Sequence, residues 1–575
     1  MRRLLMNSRS RLALGALLAT AVVLLGPARA ASAHELEAQA AVRAQTAPAG
    51  QVSPLLGNLG SHHHTITTSS ELAQRYFDEG LNLVFGFNHA EAIRSFRDAL
   101  TLDPSCAMCA WGVALALGPH INAPTMDPPA QAAAWEALQR AVALAPAAPP
   151  AEQAYIQALT ARYAPTPVAD RGPLDLAYAD AMRQVARQYP DDLDAATLFA
   201  EALMDLMPWA YWTADGQPTQ YTDEIVATLE RVLARNPNHP GANHYYIHAV
   251  EASQTPERAV PSAERLETLV PGAGHLVHMP AHIYWRVGRY LDAVRVNEDA
   301  IRSDESYFRV GGAPDLPTHA LYVFGYYPHN IHFIFAGAQM SGQSALAIDA
   351  ARKLIANVPD EVVLQVPPLE DFRPMPLFAL VRFGRWDEVL QEPAPPPELQ
   401  YATAIWHWAR GLAYLRQGQL DQADAEAAAL IAIAGSPAMR AAPLMSHTTA
   451  GTLLQIASSV LQGELAGARG QTDQQIADLE RAVAIQDRLD YIEPPAWFYP
   501  VRQSLGAALL QAGRAADAEA VYREDLRQYR NNGWSLFGLA QSLRAQGRTA
   551  EADAVQQQFQ DAWQRADVTL TSSRF

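Results

Sequence analysis

The feature that most constrains the fold is a helical pattern that is interrupted at a fixed interval. Four segments share a small residue, then a turn glycine, then an alanine, and they lie at 80–104, 284–301, 411–430 and 506–526. Turn or helix-end residues exactly one 34-residue interval apart form three pairs: Gly384/Gly418, Gly513/Gly547 and Pro237/Pro271. The apolar residues between these breaks follow helical spacing with almost no alternation. The pattern predicts an all-α chain of helix–turn–helix units from about residue 70 onward.

These units resemble the tetratricopeptide repeat. The resemblance covers residues 70 to 566 and implies a tetratricopeptide-repeat solenoid, a superhelix of about twelve helix pairs. Five stretches look like those of exported bacterial tetratricopeptide proteins: GFNHAEA (86–92), CAMCAWG (106–112), HYYIHAVEAS (244–253), GHLVHMPAHIY (274–284) and NGWSLFGLAQSLRAQG (532–547). This resemblance implies a fold and a location, and it implies no activity.

The N-terminus has the layout of a secretory signal peptide. Arginines precede an apolar run at 12–26, and the small residues 31–33 offer a cleavage site. The adjacent Arg2 and Arg3 leave both the Sec and the twin-arginine export routes open. We therefore expect a secreted, periplasmic protein without a membrane span after signal removal. The predicted organisation is a signal peptide at 1–33, a flexible linker at 34–69, and repeats at 70–239, 240–361 and 362–575.

The charge balance excludes bulk attraction to nucleic acid. The sequence holds 43 Lys and Arg against 60 Asp and Glu, a formal net charge of -17, and such a chain repels phosphate backbones. The common nucleotide-binding, serine-hydrolase and zinc-protease motifs are also missing from the sequence. Whether the protein is an enzyme is left open by these observations.

Histidines give the most specific functional signal, because seven of them recur at the same positions of three successive repeats. Counted from the repeat starts, they fall at positions 2, 5 and 9 of the first helix, which share one helix face. The resemblance to tetratricopeptide proteins implies that this helix face lines the concave groove. Neighbouring helix axes lie roughly 8–10 Å apart, so these imidazoles can converge on one ion. The predicted metal ligands are His244, His248, His275, His278, His282, His329 and His332.

Three carboxylates fall in the same register, namely Glu251, Glu201 and Asp205. Imidazole and carboxylate together suit a transition metal such as Zn, Cu or Fe, and this number of ligands allows one or two ions. The sequence thus predicts a metal carrier or a metal-dependent site in the groove. The alternative is a protein interaction scaffold, whose groove histidines bind a peptide or partner segment without metal.

Several other residues carry weaker signals. Cys106 and Cys109 form a CxxC motif, and Ala110 stands where haem attachment requires histidine. We predict a local disulfide, with a soft-metal site or a reactive thiol as alternatives. The three histidines at 62–64 are either a metal-capturing tract or without a role. The aromatic insertion at 208–212 either folds over the histidine patch or packs on the solenoid surface. A second insertion, at 311–327, is placed to cover the same patch.

Overall fold

The computed structural model describes residues 52–310 and 321–575. The predicted signal peptide at 1–33 and residues 34–51 of the predicted linker lie outside the described residues. The first half of the chain forms the helices α1 Glu71–Phe85, α2 His89–Leu102, α3 Ala107–Ala116, α4 Pro128–Leu144, α5 Pro150–Leu159, α6 Gly172–Gln188, α7 Leu193–Asp205, α8 Thr222–Arg235, α9 Pro240–Val250, α10 Val260–Leu269, α11 Gly274–His278, α12 Pro280–Val287 and α13 Tyr290–Val310.

The second half continues with α14 Tyr327–Met340, α15 Ser344–Asn357, α16 Asp360–Gln365, α17 Met375–Arg382, α18 Trp386–Gln391, α19 Gln400–Arg416, α20 Leu420–Ala434, α21 Pro437–Ala441, α22 Ala450–Ala468, α23 Thr472–Gln486, α24 Arg502–Gln511, α25 Ala515–Gln528, α26 Gly533–Ala545 and α27 Thr549–Ala562. Short 3-10 turns lie at Ala145–Ala147, Pro256–Ala259 and Pro367–Phe372, and a π turn at Tyr322–Tyr326. Outside the helices, the described residues form only isolated bridges and no β-strand. The all-α prediction is therefore confirmed.

The helices pair through turns of the predicted kind. Glycines with φ between 65° and 76° separate successive helices of a pair, and they are Gly288, Gly342, Gly384, Gly418, Gly470, Gly513 and Gly547. Residues with a side chain rarely adopt this left-handed conformation, so glycine is favoured where the chain must reverse so tightly. The two glycine pairs that the 34-residue interval identified are among them. The tetratricopeptide-type helical-repeat architecture is confirmed by this arrangement.

The chain divides into two compact units. The first comprises Met1–Ile283 and Glu298–Asn330, in so far as these residues are described, and the second comprises Tyr284–Asn297 and Ile331–Phe575. No helix in the described part of the chain combines the length and apolarity needed to cross a bilayer.

Residues 52–69, which the sequence assigns to a flexible linker, are held against the helices of the first unit. The backbone N–H of Leu56 donates to Glu79 (2.8 Å), and that of Ser69 donates to Asp103 (2.8 Å). His62 adds a side-chain contact to Asp194 at 2.8 Å. The linker prediction is wrong here because composition alone does not reveal that distant carboxylates accept hydrogen bonds from this backbone.

The turn between α1 and α2 has no left-handed glycine. Phe87 has φ 55° there, at the place that the seven glycines occupy in their own helix pairs. A left-handed conformation costs a bulky residue roughly 1–2 kcal/mol, and it persists only where the surroundings hold it. The Phe87 ring is buried, and it lies against histidines of α9 and α11.

Candidate metal centre

Two histidines of α9 begin the site. His244 and His248 are one helical turn apart, so both project from the same face of α9. Their side chains are buried, with relative exposures of 0% and 2%. Buried histidines are accommodated only where their polar atoms find partners, so the surroundings of each ring nitrogen decide what this pair can do.

The first histidine triad consists of His244, His248 and His275 of α11. Their ligand-type nitrogen atoms lie within 4.8 Å of one another. The Nε2 atoms of His244 and His275 are 3.2 Å apart. Metal-bound imidazole nitrogens lie about 2.0–2.1 Å from zinc, which separates neighbouring ligand atoms by about 2.9–3.4 Å. The observed spacing falls within that range.

The second histidine triad consists of His278, His282 of α12 and His329 of α14, all within the first unit. Their nitrogen atoms also lie within 4.8 Å of one another. The Nε2 atoms of His278 and His282 are 3.0 Å apart, and the rings of His278 and His329 have centroids 4.9 Å apart. The second triad therefore has the same donor type and the same spacing as the first.

Glu251 joins the two triads. One carboxylate oxygen lies 3.0 Å from His248 Nδ1, and the other lies 2.7 Å from His282 Nδ1. A carboxylate that accepts the Nδ1 proton holds the ring in one orientation and leaves Nε2 as the lone-pair atom, which is the arrangement found behind many metal-bound histidines. The Glu251 side chain is buried, with 1% relative exposure. A single buried carboxylate is thus hydrogen-bonded to His248 of the first triad and lies in contact with His282 of the second.

The same orientation is imposed on His244 by a main-chain carbonyl. Its Nδ1 lies 2.5 Å from the carbonyl oxygen of Phe85, which can only accept a hydrogen bond. Nδ1 therefore carries the proton, and the lone pair of His244 is on Nε2, the atom that faces His275. Two other ring nitrogens in this triad, His248 Nε2 and His275 Nδ1, are buried without a hydrogen-bond partner. An ion bound at the first triad would satisfy His248 Nε2.

The protonation state suits metal binding as well. Burial, followed by the neighbouring His248, lowers the pKa of His244 well below its ordinary value. Burial also lowers the pKa of His248 and lowers that of His275 strongly. Burial alone would raise the pKa of Glu251, but His282 and His248 outweigh it, so that pKa lies below its usual range. The triad is therefore neutral and the orienting carboxylate ionised near pH 7.

Aromatic rings surround the first triad. The Phe87 ring centroid is 4.6 Å from that of His244, and the Tyr326 centroid is 4.5 Å from that of His275. Trp209, from the insertion after α7, meets His248 edge to face at 4.9 Å. Trp209 and Tyr326 belong to the two predicted covering insertions, 208–212 and 311–327, so the described part of each contributes a ring to this triad. Sequence spacing did not single out Phe87 as a neighbour of the histidines.

Two predicted carboxylate ligands are placed elsewhere in the first unit. Asp205 accepts a hydrogen bond from Arg162 Nη2 at 2.6 Å, and both side chains are buried. Burial raises the pKa of Glu201, a neighbour of this pair, and raises that of Asp205 still further. Neither Glu201 nor Asp205 belongs to a histidine triad, because Asp205 pairs with Arg162 and Glu201 lies beside the same arginine.

His332, the seventh predicted histidine, belongs to the second unit. Its ring stacks near Phe335 at a centroid distance of 6.1 Å and meets Phe372 edge to face at 5.7 Å. It is a member of neither triad. The spacing of three residues from His329 predicted one shared face, but the neighbours of His332 are aromatic rings.

Cys106 and Cys109 are joined by a disulfide at the start of α3, with a Cα–Cα distance of 5.3 Å. This is the pairing that the CxxC spacing predicted. The sulfur of Cys106 also accepts the backbone N–H of Cys109, in the manner of a helix cap.

A further histidine cluster surrounds Asp194, and the sequence did not predict it. His62 Nε2 and His64 Nδ1 each lie 2.8 Å from a carboxylate oxygen of Asp194, and His239 Nε2 lies 3.1 Å away. His239 Nδ1, however, accepts the N–H of Ala242. A neutral His239 must then carry its proton on Nε2, the atom that would have to bind metal. The cluster is therefore arranged as a hydrogen-bond network that attaches the N-terminal segment.

Comparisons with known proteins do not assign this site. No protein-family model and no curated protein matches the sequence. Among solved structures, the human IFIT1 dimer with m7Gppp-AAAA is 10% identical over 92% of this chain and 94% of that chain, with a TM-score of 0.28. The APC/C hetero-tetramer Cut9-Hcn1 is 11% identical over 86% and 90%, with a TM-score of 0.26. Similarity at these levels carries no information about a ligand.

Proposed function

We propose that the first unit binds two transition-metal ions, one at each histidine triad. The observation that carries this proposal is the position of Glu251, whose two carboxylate oxygens lie 3.0 Å from His248 Nδ1 and 2.7 Å from His282 Nδ1. Three neutral imidazoles without a thiolate suit Zn, Cu or Fe. Three protein ligands also leave a coordination position for water or substrate, as in catalytic zinc sites. The proposal therefore includes a metal carrier and a metal-dependent site.

The burial of the histidines argues against the alternative, in which the groove binds a peptide without metal. A peptide-binding histidine must present a ring nitrogen at an accessible surface. Five of the six triad histidines are instead buried, and only His329 is partly exposed. Ring nitrogens enclosed together in this way suit an ion better than a peptide side chain.

Replacing one histidine tests the assignment of two ions. We expect tag-free protein to contain two equivalents of metal by elemental analysis, and His278→Ala to contain one, because the first triad keeps all its ligands. His332→Ala, outside both triads, is the matched control and should keep both equivalents. Circular dichroism should show unchanged helicity in both variants. Wild-type protein without metal, and unable to bind added Zn²⁺, Cu²⁺ or Fe²⁺, would contradict the proposal.

Metal retention should depend on pH in one direction. Only neutral imidazole binds metal, so protons compete with the ion as the pH falls. Burial lowers the pKa of His244 and His275 below the ordinary value of about 6.5, which shifts this competition to more acidic pH. We expect the protein to keep its metal at about pH 6 and to lose it on further acidification. Elemental analysis after dialysis at a series of pH values measures how much metal the protein keeps. Complete loss of metal already at pH 6 would contradict the prediction.

We also propose that the protein is exported to an oxidising compartment such as the periplasm. The signal-peptide layout supports this, as does the Cys106–Cys109 disulfide, since disulfides persist mainly outside the reducing cytosol. Cell fractionation with mass spectrometry of the mature N-terminus tests it. Full-length protein confined to the cytosol would count against export.

A further inference from the structure

Residues 58–62 of the N-terminal segment lie close to the turn from which α11 starts. The carbonyl oxygen of Asn58 accepts the backbone N–H of Gly272, in this turn, at 2.8 Å. Gly60 lies against the end of α10, where a Cβ atom at this position would be 2.4 Å from the carbonyl oxygen of Leu269. Only a residue without a side chain allows two stretches of backbone to approach so closely. The segment is therefore fitted to the chain just before α11.

His62 connects the same segment to α1 and α7. Its Nε2 donates to a carboxylate oxygen of Asp194, on α7, at 2.8 Å. Its ring meets that of Phe85 edge to face, with centroids 5.7 Å apart, and its carbonyl oxygen accepts the side-chain amide of Asn82 at 3.4 Å. Asn82 and Phe85 are buried residues of α1. Residues 58–62 therefore contact α1, α7 and the turn before α11.

Phe85 connects these contacts with the first triad. Its carbonyl oxygen is the acceptor that orients His244, 2.5 Å from Nδ1. Its ring packs on the first turn of α9, where a Cβ atom at Gly241 would lie 2.5 Å from a ring carbon. A displacement of Phe85 would therefore move both the start of α9 and the group that orients His244.

The start of α9 is held by the same carboxylate as the segment. His239 precedes α9 and caps it, since its Nδ1 accepts the N–H of Ala242 at 3.2 Å. Its other ring nitrogen, Nε2, lies 3.1 Å from Asp194. The rings of His239 and His62 also contact each other, with centroids 4.7 Å apart. Asp194 thus joins the N-terminal segment to the cap of the helix that carries two histidines of the first triad.

We propose that residues 58–62 act as a brace that sets the separation of α9 and α11 at the first triad, with Gly60 and His62 as its positioning residues. This inference rests on the function proposed above, because the atoms that the brace positions are metal ligands. The Nε2 atoms of His244 and His275 come from these two helices and are 3.2 Å apart. Ligands of a functional site must be held to within roughly 0.5 Å of the productive geometry. Contacts to the starts of both helices meet that requirement.

Gly60→Ala tests the brace against a matched control, Gly57→Ala. The two glycines have φ 81° and 66°, so alanine strains the backbone at either position. At Gly60 the new Cβ also meets Leu269, whereas no other described part of the chain lies within 4 Å of the corresponding atom at Gly57. The parent for both is His278→Ala, which keeps the ligands of the first triad.

Competition with a chromophoric chelator then measures the affinity of the remaining site for Zn²⁺. We expect Gly60→Ala to weaken it at least tenfold, since loss of groups that position metal ligands typically costs about 10–100-fold. Gly57→Ala should bind as the parent does. Circular dichroism checks that each variant is folded.

His62→Ala is a second variant in case Gly60→Ala does not fold. It removes the hydrogen bond to α7 and the ring contacts to α1 and to the cap of α9, and we expect weaker Zn²⁺ binding in the same parent. His63→Ala is its matched control, because the neighbouring His63 ring is half exposed and pairs with Asp78 at 2.8 Å. This control should bind Zn²⁺ as the parent does.

Two further measurements separate the ways in which the proposal can fail. In a His244→Ala parent, which keeps the second triad, Gly60→Ala should leave the affinity for Zn²⁺ unchanged, because two histidines of that triad are on α12 and α14. An equal loss at both triads, or unchanged affinity at the first triad in the folded variants, would overturn the brace.

If neither parent binds Zn²⁺, the two-ion proposal fails, and hydrogen exchange of the metal-free protein decides whether the brace exists. Faster amide exchange in residues 240–250 of Gly60→Ala, but not of Gly57→Ala, would support it. Equal exchange in the two variants would overturn it.

Discussion

Glu251→Gln is expected to release both metal ions, although Glu251 is proposed as a ligand of neither. One carboxylate oxygen accepts the Nδ1 proton of His248 at 3.0 Å, and the other lies 2.7 Å from His282 Nδ1. A glutamine side chain has one acceptor oxygen and an NH₂ group that can only donate, so at least one histidine loses its orientation. Loss of such an orienting group typically costs about 10–100-fold in metal affinity. Competition with a chromophoric chelator measures the affinity of each ion.

The matched control is Glu224→Gln, which removes a surface carboxylate paired with Arg183 and should leave both affinities unchanged. Circular dichroism and thermal unfolding of the metal-free proteins separate lost binding from lost structure. Loss of one ion alone would mean that the remaining amide oxygen still orients the histidine of the other triad. Retention of both ions at wild-type affinity would remove its proposed role.

Arg162→Met is expected to destabilise the first unit strongly and to leave its metal content intact. Arg162 is buried, donates to Asp205 at 2.6 Å, and also donates to the carbonyl of Pro119 at 2.7 Å. Methionine fills much of the same space but leaves the buried acids Asp205 and Glu201 without their cation. Breaking a buried ion pair from one side costs about 3–5 kcal/mol. Denaturant unfolding near pH 7 measures the loss.

Arg183→Met is the control for this variant, because the Arg183 pair with Glu224 is more exposed and contributes about 0–1 kcal/mol. The cost of Arg162→Met should shrink as the pH falls, since protonation of the acids removes the buried charge. If Arg162→Met protein folds but has lost its metal, Glu201 and Asp205 take part in the metal site after all. A cost no larger than that of the control would show that the pair contributes little.

The 34-residue repeat was sufficient to predict the fold. The spacing of residues along a helix was sufficient to predict one part of the site. His244 and His248, four residues apart, had to share a face of α9, and the same reasoning joined His278 to His282. The spacing within one helix could not predict which side chains of other helices pack against these histidines. Glu201 lies in the same repeat register as the histidines, yet Arg162 of the preceding chain segment lies beside it.

Long-range contacts account for what the sequence did not reveal. The carbonyl of Phe85 that orients His244 is 159 positions away in the chain. The ring of Phe87, at the turn after α1, lies against His244 of α9 and His275 of α11. Residue periodicity describes one helix at a time. These contacts depend on how separate helix pairs pack, so residue spacing alone cannot predict them.

The unusual turn at Phe87 places folding and binding in competition at one residue. In seven other helix pairs, a glycine makes the reversal at little conformational cost. Here the chain accepts a strained backbone and gains a ring against His244 and His275. Glycine at this position would remove the backbone strain, and it would also remove one of the rings that enclose the proposed metal site.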